Sequence, residues 1–443
     1  MQSFGGLVHV SAWLREVLAV LRPELDIVGA PVEDADPPAW CNQRVWTEFL
    51  LSLGVRELCA CEEHGLAVGL REVSNAPSDL LLLAENVRRV TALRRIETAH
   101  LSLPPAALRG VGVRKREQLG ALLGLAAPFA ACAERVVDVG AGSGHLARLS
   151  AELFQRPTLA LEREAARLKT AQRRTAERAE NIGALDLRFS TTDVGREPLE
   201  LAPTDLAIGL HACGDLGDRL VLAAAAARCD LVLCSCCFQK IATPARAMLS
   251  QTGGTFALKK PVLGLANLTS QAVGVEASLG ENLDARQSRL GLRRLLQARG
   301  LTVAPGEEMR GINRRRAQAR FSDLATRALA ARSLPPPTRA ELSFHADAAA
   351  REHAIIRRLS LPRHLLARVV ELAIVLDRAA ALEEHGQHVL VAELFDQRVT
   401  PRNTVLIATS DPKRLAGLGS AGSMGFGARS EAASRDDPAP SLG

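Results

Sequence analysis

Two stretches of this sequence place chemically useful residue types at informative spacing. The first is Val136-Val137-Asp138-Val139-Gly140-Ala141-Gly142-Ser143-Gly144-His145, an apolar run that ends in an aspartate and three alternating glycines. Glycine at those positions lets a backbone turn sharply and approach a ligand closely. Glu162 closes the next apolar run, a position suited to two hydrogen bonds to ribose hydroxyls. Nicotinamide-binding proteins also combine a glycine-rich turn with a later carboxylate. Their G-x-G-x-x-G form needs glycine at position 145, where His145 stands.

The second stretch pairs Ile208-Gly209-Leu210-His211-Ala212-Cys213-Gly214-Asp215-Leu216 with Cys234-Ser235-Cys236-Cys237-Phe238-Gln239-Lys240. His211 is the candidate base or substrate-orienting residue, or a histidine that fixes the loop. Cys213, Cys236 and Cys237 can act as nucleophiles, although cysteines on apolar strands usually just pack. With His211 they could also surround a zinc ion, but H-x-C plus C-C is unusual spacing and no metal site is assigned. Cys59-Ala60-Cys61 and His64 lack a second ligand pair and read as helical packing. A third feature is positive charge. Arg310-Gly311-Ile312-Asn313-Arg314-Arg315-Arg316 continues to Arg320 without an acid, a pattern that suits phosphate binding.

Short apolar runs separated by helical patterns must position these residues, the sign of βαβ units and a parallel sheet. We read strands at 135–141, 158–163, 187–192, 205–212 and 230–236. Asp193 then follows the third strand, and the His211 and Cys236 motifs end the fourth and fifth. Both ends flank the crevice where open α/β sheets bind ligands. Segment 246–354 lacks strand alternation and reads as a mainly helical insertion, a possible substrate lid. A helix from about 362 to 384 then leads to strands at 388–395 and 404–409. Their short connection makes them antiparallel neighbours and completes a seven-stranded sheet. Residues 1–105 read as a helical N-terminal domain, 106–245 and 355–410 as the two parts of the core, and 411–443 as a disordered tail.

At 443 residues, 47% apolar and 23% charged, the chain has the makings of a large core, which excludes a disordered or fibrous protein. The net charge of +6 permits an anionic partner without demonstrating one. Only six of the 55 basic residues are Lys and there is no Tyr; aromatics total 3%, which argues against a stacking platform for single-stranded RNA. No signal peptide and no membrane span is expected, so a cytoplasmic location follows.

The D-x-G-x-G-x-G order resembles the first motif of class I S-adenosylmethionine (AdoMet) methyltransferases. The G-L-H-A-C-G-D-L motif, the Cys236-Cys237 pair and Leu394-Phe395-Asp396-Gln397-Arg398-Val399-Thr400-Pro401-Arg402-Asn403 are similar to those of one subgroup. That subgroup includes methyltransferase-like proteins named for a ribosomal RNA adenine dimethylase domain; more distantly, similar H-A-C and C-C-x-H motifs occur in a tRNA ribose methyltransferase family. Arg114-Lys115-Arg116-Glu117 matches its basic segment before the first strand, so the likeness runs from about 106 to 410.

The resemblance implies a Rossmann-like α/β fold whose last strand is antiparallel. It implies AdoMet as cofactor and RNA or a ribosomal component as partner. Asp138, Gly140, Ala141, Gly142, Gly144 and His145 would face the amino-acid part of the cofactor. Glu162, beside Arg163, would bind the ribose, Asp193 would reach the adenine amino group, and His211 would border the cofactor. Arg314, Arg315, Arg316, Arg402 and Asn403 are the expected substrate contacts. Two departures stand out: the subgroup's C-C-Y-H ends here in Gln239, and the D/N-P-P-Y motif of exocyclic-amine methyltransferases is absent. Two other readings remain open, a catalytically idle AdoMet-binding scaffold on RNA and a nicotinamide-dependent dehydrogenase.

Overall fold

The computed structural model describes residues 9–96, 101, 103, 105–182, 184–269, 278–312, 320–396, 399–400, 402–416 and 418. Seven strands form one sheet: β1 (Arg135–Val139), β2 (Thr158–Glu162), β3 (Leu187–Thr191), β4 (Asp205–Leu210), β5 (Asp230–Cys234), β8 (His388–Glu393) and β9 (Thr404–Thr409). Their order is β3-β2-β1-β4-β5-β9-β8. The first five pair in parallel, while β9 runs antiparallel to both β5 and β8. The order reverses between β1 and β4, and the cofactor loop and the His211 loop both leave the sheet at that switch point.

The central strands are apolar on both faces because helices cover both faces. Val137 and Val139 of β1 point into one core, and Val136 into the other. The first core also contains the helices Asp215–Ala227 and Ala367–Glu384; the second contains Val113–Ala130 and His145–Phe154.

Three expectations change. The N-terminal helical region does not stand apart: Leu14, Val17 and Leu21 join the same core as the sheet. The backbone N–H groups of Val10 and Ser11 donate to the Glu383 carboxylate at 3.1 and 3.0 Å. The segment after β5 opens with a small antiparallel ribbon, β6 (Ala245–Ala247) and β7 (Ala257–Lys259), whose three-residue strands are too short to show alternation. Beyond it Leu292, Leu295, Leu296, Leu324 and Leu329 build a separate helical core. The expected tail begins with a short helix, Pro412–Ala416, held by buried Leu415 and an Arg414–Asp230 ion pair. Residues 419–443 lie outside the described residues.

Candidate functional site

The cofactor loop bends where the glycines allow it. Gly140, Gly142 and Gly144 all have positive φ, and Gly144 packs so tightly that a Cβ there would sit 2.6 Å from the Ala171 Cβ. At Gly142 the added atom would meet nothing closer than 3.9 Å, so its side faces open space. The Glu162 carboxylate, 6% exposed, accepts from the Gly142 N–H at 2.9 Å and the Glu164 N–H at 3.0 Å. It therefore shapes the loop while its remaining lone pairs border a cavity of about 580 Å³. That volume is typical of small-molecule sites. Gly140, Glu162, Arg163, Asp193, His211, Cys213 and Lys240 all line it.

Asp138, Ala141, Gly142, Gly144 and His145 lie outside the set that lines the cavity. Asp138 is 2% exposed and its Oδ2 has no hydrogen-bond partner among the described residues. Burial pushes its carboxyl up to about 7, against the pull of the nearby Lys115 ammonium. His145 Nε2 accepts from Arg174 Nη1 at 3.2 Å, and burial together with Lys115, Arg174 and Arg148 depresses its pKa to about 4.

His211 has φ +71°, a strained conformation for a non-glycine residue that the loop must enforce. Its Nε2 lies 3.3 Å from Gln118 Oε1, a contact that favours the tautomer with the proton on Nε2 and a lone pair on Nδ1. Burial, then Lys115, Arg114, Arg402 and Lys240, lowers its pKa to about 4. Four cationic side chains from three separate segments thus converge electrostatically on one neutral imidazole. Next to it, Cys213 Sγ lies 2.8 Å from Cys236 Sγ and 3.3 Å from the Cys237 N–H. Hydrogen bonding from Cys236 pulls the Cys213 thiol down and pushes the Cys236 thiol up.

A buried arginine ties these loops together. Arg378, 1% exposed on the Ala367–Glu384 helix, donates to Asp218 Oδ1 at 2.8 Å, Ser235 Oγ at 2.6 Å and the Gly214 carbonyl at 2.9 Å. Asp218 also accepts two bonds from Arg246, at 2.8 and 3.0 Å. Neither Arg378 nor Gln118 was singled out by motif. The available signal was slight: Arg378 follows Asp377 within a long apolar run, and Gln118 follows the charged run Arg114–Glu117.

Of the expected substrate contacts, Arg314, Arg315 and Arg316 lie outside the described residues. Arg402 is half-buried and acts on His211. Asn403 is 1% exposed, and its Oδ1 accepts from Arg368 Nη2 at 3.1 Å, which makes it a positioning residue for the loop in this structure. Gln239, where the subgroup has histidine, accepts from Asn267 Nδ2 at 2.8 Å.

Residues 114–244 match a family model described as a methyltransferase domain. Among solved structures the chain is similar to coclaurine N-methyltransferase bound to N-methylheliamine and SAH. That match has 14% identity and a TM-score of 0.24, and covers 49% of this chain and 62% of that one. It is also similar to the O-methyltransferase of a trans-AT PKS multienzyme of Brevibacillus brevis in complex with S-adenosyl-L-homocysteine. Here identity is 9% and the TM-score 0.21, with 61% of this chain and 80% of that one covered. The assignment rests on the family model and the sheet itself. The residues present fit AdoMet: a buried carboxylate oxygen without a partner, an acid at the end of β2, and a glycine turn beside a cavity of suitable volume. Residues 114–244 thus match a methyltransferase-domain model, and they lie in a seven-stranded sheet of the Rossmann-like class I order.

Proposed function

We propose that the protein transfers a methyl group from AdoMet to RNA or to a ribosomal component, in a reducing, cytoplasmic compartment. The observation that carries the acceptor class is positive charge at the site: Arg163, Arg167, Arg196 and Lys240 line the cavity, and Arg114, Lys115 and Arg402 add to the field at His211. Such a field attracts a polyanion, and phosphate contacts hold it in register. The compartment is supported by nine cysteines that are all free.

AdoMet supplies an activated methyl group, whose transfer is an in-line displacement that depends chiefly on positioning. Glu162 and Asp193 supply acceptors for cofactor hydroxyl and amino groups at the cavity rim. Asp138 offers its unpartnered Oδ2 to a cation. His211 accepts a hydrogen bond at Nδ1 from the incoming nucleophile and holds it toward the cavity. With a pKa of about 4 the imidazole is neutral at pH 7, so it orients an acceptor better than it deprotonates one of high pKa. Gln239, held by Asn267, gives specific support to a second reading, an AdoMet-binding scaffold without turnover.

The test is RNA binding as a function of salt. Replacing Lys240 and Arg402 by Ala should weaken binding and flatten the log–log salt slope, by about 0.7 per lost single-strand phosphate contact or 0.9 per duplex contact. The same analysis applied to Arg314, Arg315 and Arg316 tests whether that segment adds contacts. An unchanged slope in both variants would remove the electrostatic support for RNA. Labelled methyl groups appearing in RNA, or only in ribosomal protein, would separate the acceptors, and no incorporation with intact AdoMet binding would favour the scaffold.

A further inference from the structure

We infer that Cys213, Cys236 and Cys237 form a binding site for a thiophilic d10 cation, with Zn²⁺ as the probe. The three Sγ atoms come from two loops, one after β4 and one after β5. All lie within 4.8 Å of one another. Two of the separations are 2.8 Å, for Cys213–Cys236, and 3.5 Å, for Cys236–Cys237. Tetrahedral zinc with Zn–S bonds of about 2.3 Å requires sulfur atoms about 3.8 Å apart. The two measured separations fall short of that edge by about 1.0 and 0.3 Å, so the sulfurs must spread by side-chain rotation to seat the ion.

A disulfide does not account for the cluster. The Cys213–Cys236 contact is about 0.75 Å longer than a disulfide bond of about 2.05 Å, and both residues are free. The loops around the sulfurs are held rigidly. His211 N–H donates to the Cys234 carbonyl at 2.8 Å, and Ser235 Oγ donates to the Ala212 carbonyl at 3.2 Å. Gly214 lies against the Lys240 carbonyl so closely that a Cβ would come within 1.8 Å of its oxygen. Arg378 then fixes Ser235 and Gly214 from behind. Outer-shell bonds of this kind fix the loops that carry metal ligands.

Three protein sulfurs leave the fourth tetrahedral position free, as in zinc sites that take water or a substrate atom. Of the three residues, Cys213 lines the cavity. The sulfurs follow β4 and β5, whereas the acids expected to hold AdoMet follow β2 and β3; the two groups border the same cavity through Cys213, Glu162 and Asp193.

The experiment is metal analysis of the full-length protein, together with Co²⁺ substitution followed by absorbance. The inference expects about one zinc per chain, and intense thiolate-to-cobalt charge transfer in the substituted protein. Cys213→Ser and Cys236→Ser should each lower zinc affinity by at least roughly tenfold, whereas Cys132→Ser on the surface should change nothing. The cobalt spectrum of the unaltered chain keeps the test decisive even where a serine variant folds poorly. No zinc, no uptake of added Zn²⁺ and no charge-transfer band would overturn the inference. A Cys213–Cys236 disulfide found by non-reducing peptide mapping of the native protein would overturn it too.

Discussion

Replacing Arg378 by Met keeps the volume of the side chain and removes its charge from the centre of the molecule. The guanidinium is 1% exposed and serves three acceptors: Asp218 Oδ1 on the Asp215–Ala227 helix, and Ser235 Oγ and the Gly214 carbonyl on the two loops. Removing one partner of a buried ion pair costs about 3–5 kcal/mol, because the remaining charge is left uncompensated. Asp218 keeps its two bonds to Arg246, which moves the ion-pair loss toward the lower limit. The Gly214 carbonyl loses the Arg378 donor, and an unsatisfied buried acceptor costs about 1–3 kcal/mol. These losses overlap, so the expected destabilisation is about 3–5 kcal/mol in urea denaturation. A double-mutant cycle with Asp218→Asn should give a coupling of about 0.5–3 kcal/mol. AdoMet affinity should fall as well, since the His211 loop loses its anchor. A variant within about 1 kcal/mol of the unaltered protein, with no coupling to Asp218, would refute the idea that this arginine holds the site.

Glu162→Gln keeps the shape of the side chain but loses its charge, so calorimetry should show AdoMet binding weakened by roughly 10- to 150-fold, the equivalent of one charge-assisted hydrogen bond. Gly144→Ala, with its 2.6 Å approach to Ala171 and φ of +71°, should destabilise the fold by about 2–5 kcal/mol; Gly142→Ala, with open space around it, should cost only about 1–2 kcal/mol. His353 is buried, and burial first, then Arg357 and Arg286, holds its pKa at about 4; His145 is likewise held at about 4. Both folded values lie below the unfolded value, so the unfolded chain binds more protons and stability falls as pH drops from about 6.5 to 4, by up to about 1.4 kcal/mol per pH unit per histidine. Asp138, raised to about 7, has the opposite sign. Urea titrations should therefore show a shallower acid loss in His353→Gln and a steeper one in Asp138→Asn, and parallel profiles would contradict the pKa assignments.

Much of the fold was legible because its signals are local. The apolar runs of β1, β4 and β5 stand out since both faces of those strands are buried, and the antiparallel pair β8–β9 followed from a short connection. The glycine turn could be read because positive φ at Gly140, Gly142 and Gly144 requires that residue type. What stayed hidden depends on tertiary packing. Nothing near Arg378 in sequence points to Ser235, 143 residues away, and nothing near Gln118 points to His211. Asn403 sits in a motif that suggested a substrate contact, yet its Oδ1 is taken by Arg368 inside the core. The ribbon β6–β7 was missed because strands of three residues show no period. The thiol cluster was visible as residue types, but the convergence of its sulfurs from two loops needed coordinates.

The most direct test of the central claim is isothermal titration of the full-length protein with AdoMet, S-adenosylhomocysteine and NAD. The account predicts one AdoMet site per chain, competition by S-adenosylhomocysteine, loss of binding in Glu162→Ala, and no binding of NAD. Heat with NAD but none with AdoMet or S-adenosylhomocysteine would contradict it, and the glycine loop would then belong to a dehydrogenase.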